Sequence, residues 1–118
     1  MRLFLGLALG LAACGTTIHQ IATNPPPHPL APRPAETVEV FTATQPQRPF
    51  VEVAYFEAQQ ESAASLDDQG AVFSKLRAQA GEAGCDGLII NGPNDSVVGD
   101  RRNVNTLRGY AATCIVYR

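Results

Sequence analysis

A single stretch of this chain has helical spacing, and that limits what the rest can build. In "SLDDQGAVFSKLRAQAGEA", residues 65–83, Val72, Leu76, Ala80 and Ala83 recur at intervals of four, four and three, giving one apolar stripe. Ser65 stands as an N-cap, with Asp67 and Asp68 beside the positive end of the helix dipole. Gly84 occupies the position where a left-handed residue ends a helix. Gly70 and Gly81 each weaken the helix by about 1 kcal/mol relative to Ala. Around it the pattern is that of strands. "TVEVFTA", 37–43, sets Val38 and Val40 opposite Glu39, and "FVEVAYFEA", 50–58, sets Val51, Val53 and Tyr55 opposite Glu52 and Ala54. "DGLIING", 86–92, reads as a short buried strand, 93–106 as a polar loop, and "LRGYAATCIVYR", 107–118, as a closing strand. The expected class is α+β: one small two-layer domain over 37–118, in the order β-β-α-β-β, with one helix packed on a mixed sheet. The first two strands could close as a hairpin across "TQPQRP". A helix between parallel neighbours would make a right-handed crossover.

The N-terminus is of another kind. Arg2 precedes an unbroken run of apolar and small residues from Leu3 to Ala13, the charged start and short apolar core of a secretory signal. The run falls short of the about 20 residues that a membrane span requires. Leu11, Ala12, Ala13 and Cys14 resemble the lipobox of bacterial lipoproteins, position by position. The resemblance implies a diacylglyceryl thioether on Cys14, cleavage before it, and acylation of the freed amine. The simpler readings are an ordinary signal peptide with a chance cysteine, or a short buried helix. Gly15 follows where an Asp retains enteric lipoproteins in the inner membrane, so the expected site is the outer membrane, facing the periplasm. Residues 15–36 hold six of the nine prolines and read as a disordered stalk. The expected organisation is therefore a signal peptide over 1–13, lipidated Cys14 with its stalk over 14–36, and the domain over 37–118.

Removing residues 1–13 from 118 leaves 105, with eight basic residues against eleven acidic ones, a formal charge of −3. There is no basic stripe and no aromatic–basic interleaving, so nucleic acid is not an expected partner. Of the three cysteines, acylation of Cys14 leaves Cys85 and Cys114 in a compartment that permits disulfides. An antiparallel pairing of 86–91 with 107–117, with paired positions summing to about 199, sets Ile89 opposite Tyr110, Gly87 opposite Ala112 and Cys85 opposite Cys114. The expectation is a Cys85–Cys114 disulfide, the alternative being two buried thiols.

"LRAQAGEAGCDGLII", followed by a loop and "LRGYAATCIVYR", resembles a family of small bacterial envelope domains. That family includes the sensor lipoprotein of the Rcs envelope-stress phosphorelay and the YbjQ-type domains once labelled heavy-metal-binding. Ala80, Gly84, Asp86 and Gly87 fit its motif, with Cys85 in place of the usual Ala. The likeness covers roughly residues 50–118. The Rcs sensor carries two disulfides in its domain, whereas this chain can form one.

No catalytic constellation stands out. His19 and His28 lie in the proline-rich segment without a ligand cluster nearby, so no metal site and no cofactor are expected. Adjacent Asp67 and Asp68 diverge by about 100° on a helix and suit the first turn better than acid–base work. Arg101 and Arg102 could meet an anionic glycan or headgroup, but Asp95 and Asp100 partly cancel their field. Ser62, Ser65 and Ser74 have no His in the domain to activate them. The leading expectation is a non-enzymatic, membrane-tethered binding or sensing module. A periplasmic metal-binding protein and an envelope hydrolase stand second and third. Its expected partners are the membrane, through acyl chains on Cys14, and another envelope protein or a second copy. Docking would use a sheet face bearing Val51, Val53, Tyr55, Tyr110 and Val116, if one thin helix leaves that face uncovered.

Overall fold

Strand structure reaches further towards the N-terminus than the prolines suggest. The computed structural model describes residues 16–60, 69–99, 102, 104–107 and 109–118. Its first element is a strand, β1 (Thr16–Ala22), which pairs antiparallel with β3 (Phe50–Gln60). A short β2 (Glu39–Phe41) lies between them in sequence, and α1 (Gln69–Ala83) follows β3. Then come β4 (Gly87–Pro93), a hairpin of β5 (Ser96–Gly99) and β6 (Val104–Leu107), and β7 (Gly109–Tyr117). The main sheet has five strands in the order β1-β3-β7-β4-β2 and is mixed, because β2 runs parallel to β4 while the other pairs are antiparallel. The class is α+β.

Three expectations need correction. The disordered stalk does not hold for 16–36, because Thr16, Thr17, Ile18 and Ile21 are β-branched residues that supply an edge strand before the first proline, Pro25. The polar loop over 93–106 contains the β5–β6 hairpin, so the element order is longer than β-β-α-β-β. Nor do the first two expected strands form a hairpin. Both sides of β3 are taken, by β1 and β7, and β2 pairs with β4 at the far edge.

To travel from edge strand β1 to edge strand β2, residues 23–38 cross one end of the whole sheet. Four inter-strand gaps of about 4.8 Å make that roughly 19 Å, a distance suited to extended, proline-rich chain. Pro34 has φ −60° and ψ 142°, the polyproline conformation, before a 3₁₀ turn at Ala35–Thr37. The prolines thus form a strap on the domain.

The helix ends as expected. Gly84 has φ +82°, its N–H donates to the Gly81 carbonyl at 3.0 Å, and the Cys85 N–H donates to the Ala80 carbonyl at 2.9 Å, a Schellman arrangement. The expected N-cap, Ser65, and first-turn Asp67 and Asp68 lie outside the described residues.

Between α1 and the sheet lie Val72, Leu76 and Ala80 of the helix, Phe56 and Ala58 of β3, Leu88 of β4, and Ala112 and Val116 of β7. Each of the larger side chains removes enough apolar surface from water to contribute about 1.5–3 kcal/mol. A bulge between Glu52 and Ala54 inverts the alternation of β3, so Val51 aligns with Val116, and Ala54 and Phe56 align with Cys114 and Ala112. Val51 and Tyr110 pack on this same cluster, and Tyr110 meets Phe73 edge-on at 5.1 Å between ring centroids. Val51, Tyr110 and Val116 are therefore on the helix side, and the apolar surplus expected on the other face is smaller than the sequence suggests. On that other face Phe41 lies over Gly87 beside Ile115, which is fully buried.

Candidate functional site

Strand polarity gives the sheet two distinct ends. Thr16 pairs with Gln60, Gln59 with Gly109, and Tyr110 with Pro93, so these residues share one end. At the other lie Phe50, Tyr117, Gly87 and Glu39, together with the C-terminus of α1 and the strap.

Asp86 organises that second end. It follows the Gly84–Cys85 turn, and its backbone carbonyl accepts from the Glu39 N–H at 3.1 Å while its own N–H donates to the Ile115 carbonyl at 2.9 Å. Its carboxylate is shared. Oδ2 accepts the Tyr117 N–H at 2.9 Å, and Oδ1 pairs with the Arg33 guanidinium. Arg33 also donates through Nε to Thr37 Oγ1 at 2.8 Å and through Nη2 to the Thr37 carbonyl at 2.9 Å. One aspartate so joins the strap, β2 and β7.

Two glycines let the strap approach. The Arg33 N–H donates to the Gly81 carbonyl at 2.8 Å, and a β-carbon at Gly81 would stand 2.5 Å from the Arg33 carbonyl oxygen. At Gly84 a β-carbon would meet Leu30 and Ala31 at 2.8 and 2.9 Å. The glycine in the last turn of α1 that lowers helix propensity is the one the strap requires.

Beside Asp86 opens a cleft of about 550 Å³ lined by His28, Arg33, Thr37, Glu39, Arg48, Tyr117 and Arg118. Tyr117 Oη donates to Glu39 Oε1 at 2.6 Å, and the Arg48 guanidinium carbon sits 4.0 Å from the centre of the Tyr117 ring. Burial pushes the Tyr117 hydroxyl up to about 12, and its hydrogen bond to anionic Glu39 acts in the same direction. Three arginine side chains face two side-chain carboxylates in this cleft, a formal balance of +1 with His28 neutral. A second, more apolar cavity of about 320 Å³ lies under the strap, lined in part by Ala22, Leu30, Val53 and Cys114.

The structure joins Cys85 to Cys114 by a disulfide, with Cα atoms 5.6 Å apart and both residues fully buried. The expected register does not hold. Paired positions of β4 and β7 sum to 202, rising to 203 past a bulge between Ile90 and Gly92, so Cys114 lies opposite Leu88. Cys85 precedes β4, on the turn after Gly84, and reaches Cys114 from there. Cys14, Asp100, Arg101, Ser62 and Ser65 lie outside the described residues. His19 pairs in register with Glu57 on the β1 edge, while His28 enters the cleft. Arg102 and Ser74 are exposed. Sequence reasoning missed the cleft because Arg33, Glu39, Arg48 and Tyr117 are scattered; the one local signal was Asp86 in "GCDG".

Among the described residues no three His, Cys, Asp or Glu side chains gather as a metal site, and no helix is long and apolar enough to cross a membrane. No protein-family model and no curated protein sequence matches the chain. A solved structure similar to it is the orthorhombic crystal form of the Francisella virulence factor FvfA, at 14% identity and a TM-score of 0.48, covering 81% of this chain and 96% of that one.

Proposed function

We propose that the protein is a lipid-anchored module of the bacterial envelope that binds a partner non-enzymatically through the cleft around Asp86. One observation carries this reading: Thr16, two residues after the lipobox cysteine, lies at the opposite end of the sheet from the cleft. The nine residues of β7 at about 3.3 Å each separate the two ends of the sheet by roughly 30 Å, so with Cys14 acylated the cleft would face away from the bilayer. The buried disulfide suits an oxidising compartment. A binding role also fits the chemistry of the cleft, whose carboxylates are already engaged, Asp86 by Arg33 and the Tyr117 N–H, Glu39 by the Tyr117 hydroxyl. Arg48 and Arg118 leave it suited to an acidic segment of an envelope protein.

The test is photo-crosslinking in cells, with the reactive residue at His28, which lines the cleft, and, for comparison, at Ala78 on the exposed side of α1. A discrete adduct from position 28, absent from position 78 and lost on Arg118→Glu, supports the reading. Equal, diffuse labelling from both positions rejects it.

A further inference from the structure

The end of the sheet that carries Thr16 has its own projecting element. β4 leaves the sheet at Pro93, β7 enters it at Gly109, and the β5–β6 hairpin occupies the chain between them. The base of the hairpin is fixed. The Asn94 N–H donates to the Gly109 carbonyl at 2.8 Å, and the Gly109 N–H donates to Asp95 Oδ1 at 3.1 Å. Beyond that base β5 and β6 form a separate two-stranded sheet, an arrangement only marginally stable in water. It carries the most exposed of the large apolar residues described, Val97 at 70%.

We infer that the β5–β6 hairpin rests on the lipid surface, with Val97 as its contact, and so fixes the domain upright on the membrane. The inference rests on acylation of Cys14. It follows from the length of chain between the anchor and the fold. Only Gly15 separates Cys14 from Thr16, so two Cα–Cα steps of about 3.8 Å hold the first residue of β1 within about 8 Å of the acylated residue. The headgroup layer on one side of a bilayer is itself roughly 5–8 Å deep. The edge strand therefore begins at headgroup level. A hairpin projecting from the same end has phospholipid as its nearest large surface. A stalk over 16–36 would have separated the domain from the bilayer, but that segment is folded into the sheet and the strap.

The chain has no tryptophan, so one introduced residue is an unambiguous reporter. Full-length Val97→Trp and Gln47→Trp proteins, the latter in the loop before β3 at the far end, are purified from membranes. Mass spectrometry establishes acylation, and both are reconstituted into phosphatidylethanolamine–phosphatidylglycerol vesicles containing lipids brominated near the headgroup. The expected result is at least two-fold stronger quenching of the Val97→Trp protein than of the Gln47→Trp protein. In wild-type protein, hydrogen exchange of the 96–107 amides should slow on vesicles relative to detergent micelles, while that of 42–49 should not. Equal quenching of the two tryptophans in acylated protein, or unchanged exchange of the hairpin if Val97→Trp does not fold, overturns the inference and leaves anchoring intact. Protein recovered without acyl chains overturns both.

Discussion

Arg33 and Asp86, 53 positions apart, form the ion pair that fastens the proline-rich strap to the start of β4. Their contributions to stability are unequal. The pair is partly solvated, with side chains 32% and 25% exposed, so the ionic contact itself is worth under about 1 kcal/mol. Asp86 additionally accepts the Tyr117 N–H, which would otherwise lose its acceptor at a part-buried site. Asp86→Ala should therefore cost about 2–3 kcal/mol and Arg33→Ala about 1 kcal/mol, with a coupling term in the double mutant measured by urea unfolding.

Gly81→Ala offers a test with opposing signs. Helix propensity alone favours alanine by about 1 kcal/mol. The close Arg33 carbonyl requires the strap to shift, and such overpacking costs typically about 1–3 kcal/mol. Net destabilisation is expected in thermal melts, and Gly70→Ala serves as the propensity control.

Breaking the Cys85–Cys114 link opens a loop with a separation of 29 positions. Chain entropy assigns such a loop about 3–4 kcal/mol. Reduction, or Cys85→Ser with Cys114→Ser, should lower the denaturation midpoint by the corresponding amount. Peptide mapping without reductant should recover the two cysteines as one linked pair.

How legible these features were in the sequence depended on whether their signals were local. The apolar stripe of α1 and Gly84 as its terminator are set by neighbours within a few positions, and both hold in the structure. The disulfide was reached through an incorrect register, since compartment and cysteine count are independent of strand pairing. β1 was hidden because its seven residues were averaged with the prolines that follow. The bulge at Glu52/Ala54 inserts a residue and inverts the alternation, so a strict period of two misassigns Val51. The β4–β7 pairs sum to 202 and 203 rather than 199 on both sides of the Ile90/Gly92 bulge, because the β5–β6 hairpin stands between the strands in place of a simple turn. The cleft gathers Arg33, Arg48, Asp86 and Tyr117 from four distant segments, a proximity that exists only once the strap crosses the end of the sheet and β4 pairs with β7.

Alkaline pH should expose Tyr117. Its hydroxyl is raised to about 12, so between about pH 10 and 12 the folded state holds a proton that the unfolded state has released. The stabilisation is present below about pH 10 and is lost as pH rises towards 12. Tyr117→Phe should flatten that decline. It should also remove the component near pH 12 from an absorbance titration of the tyrosines.

The lipid anchor is the central claim, and Cys14 tests it most directly. Cells supplied with a labelled fatty acid should incorporate it into the wild-type protein, and the mature N-terminal peptide should begin at an acylated Cys14. Cys14→Ser should carry no label and retain residues 1–13. A wild-type protein released without label, or a Cys14→Ser protein cleaved at the same position, would contradict the account.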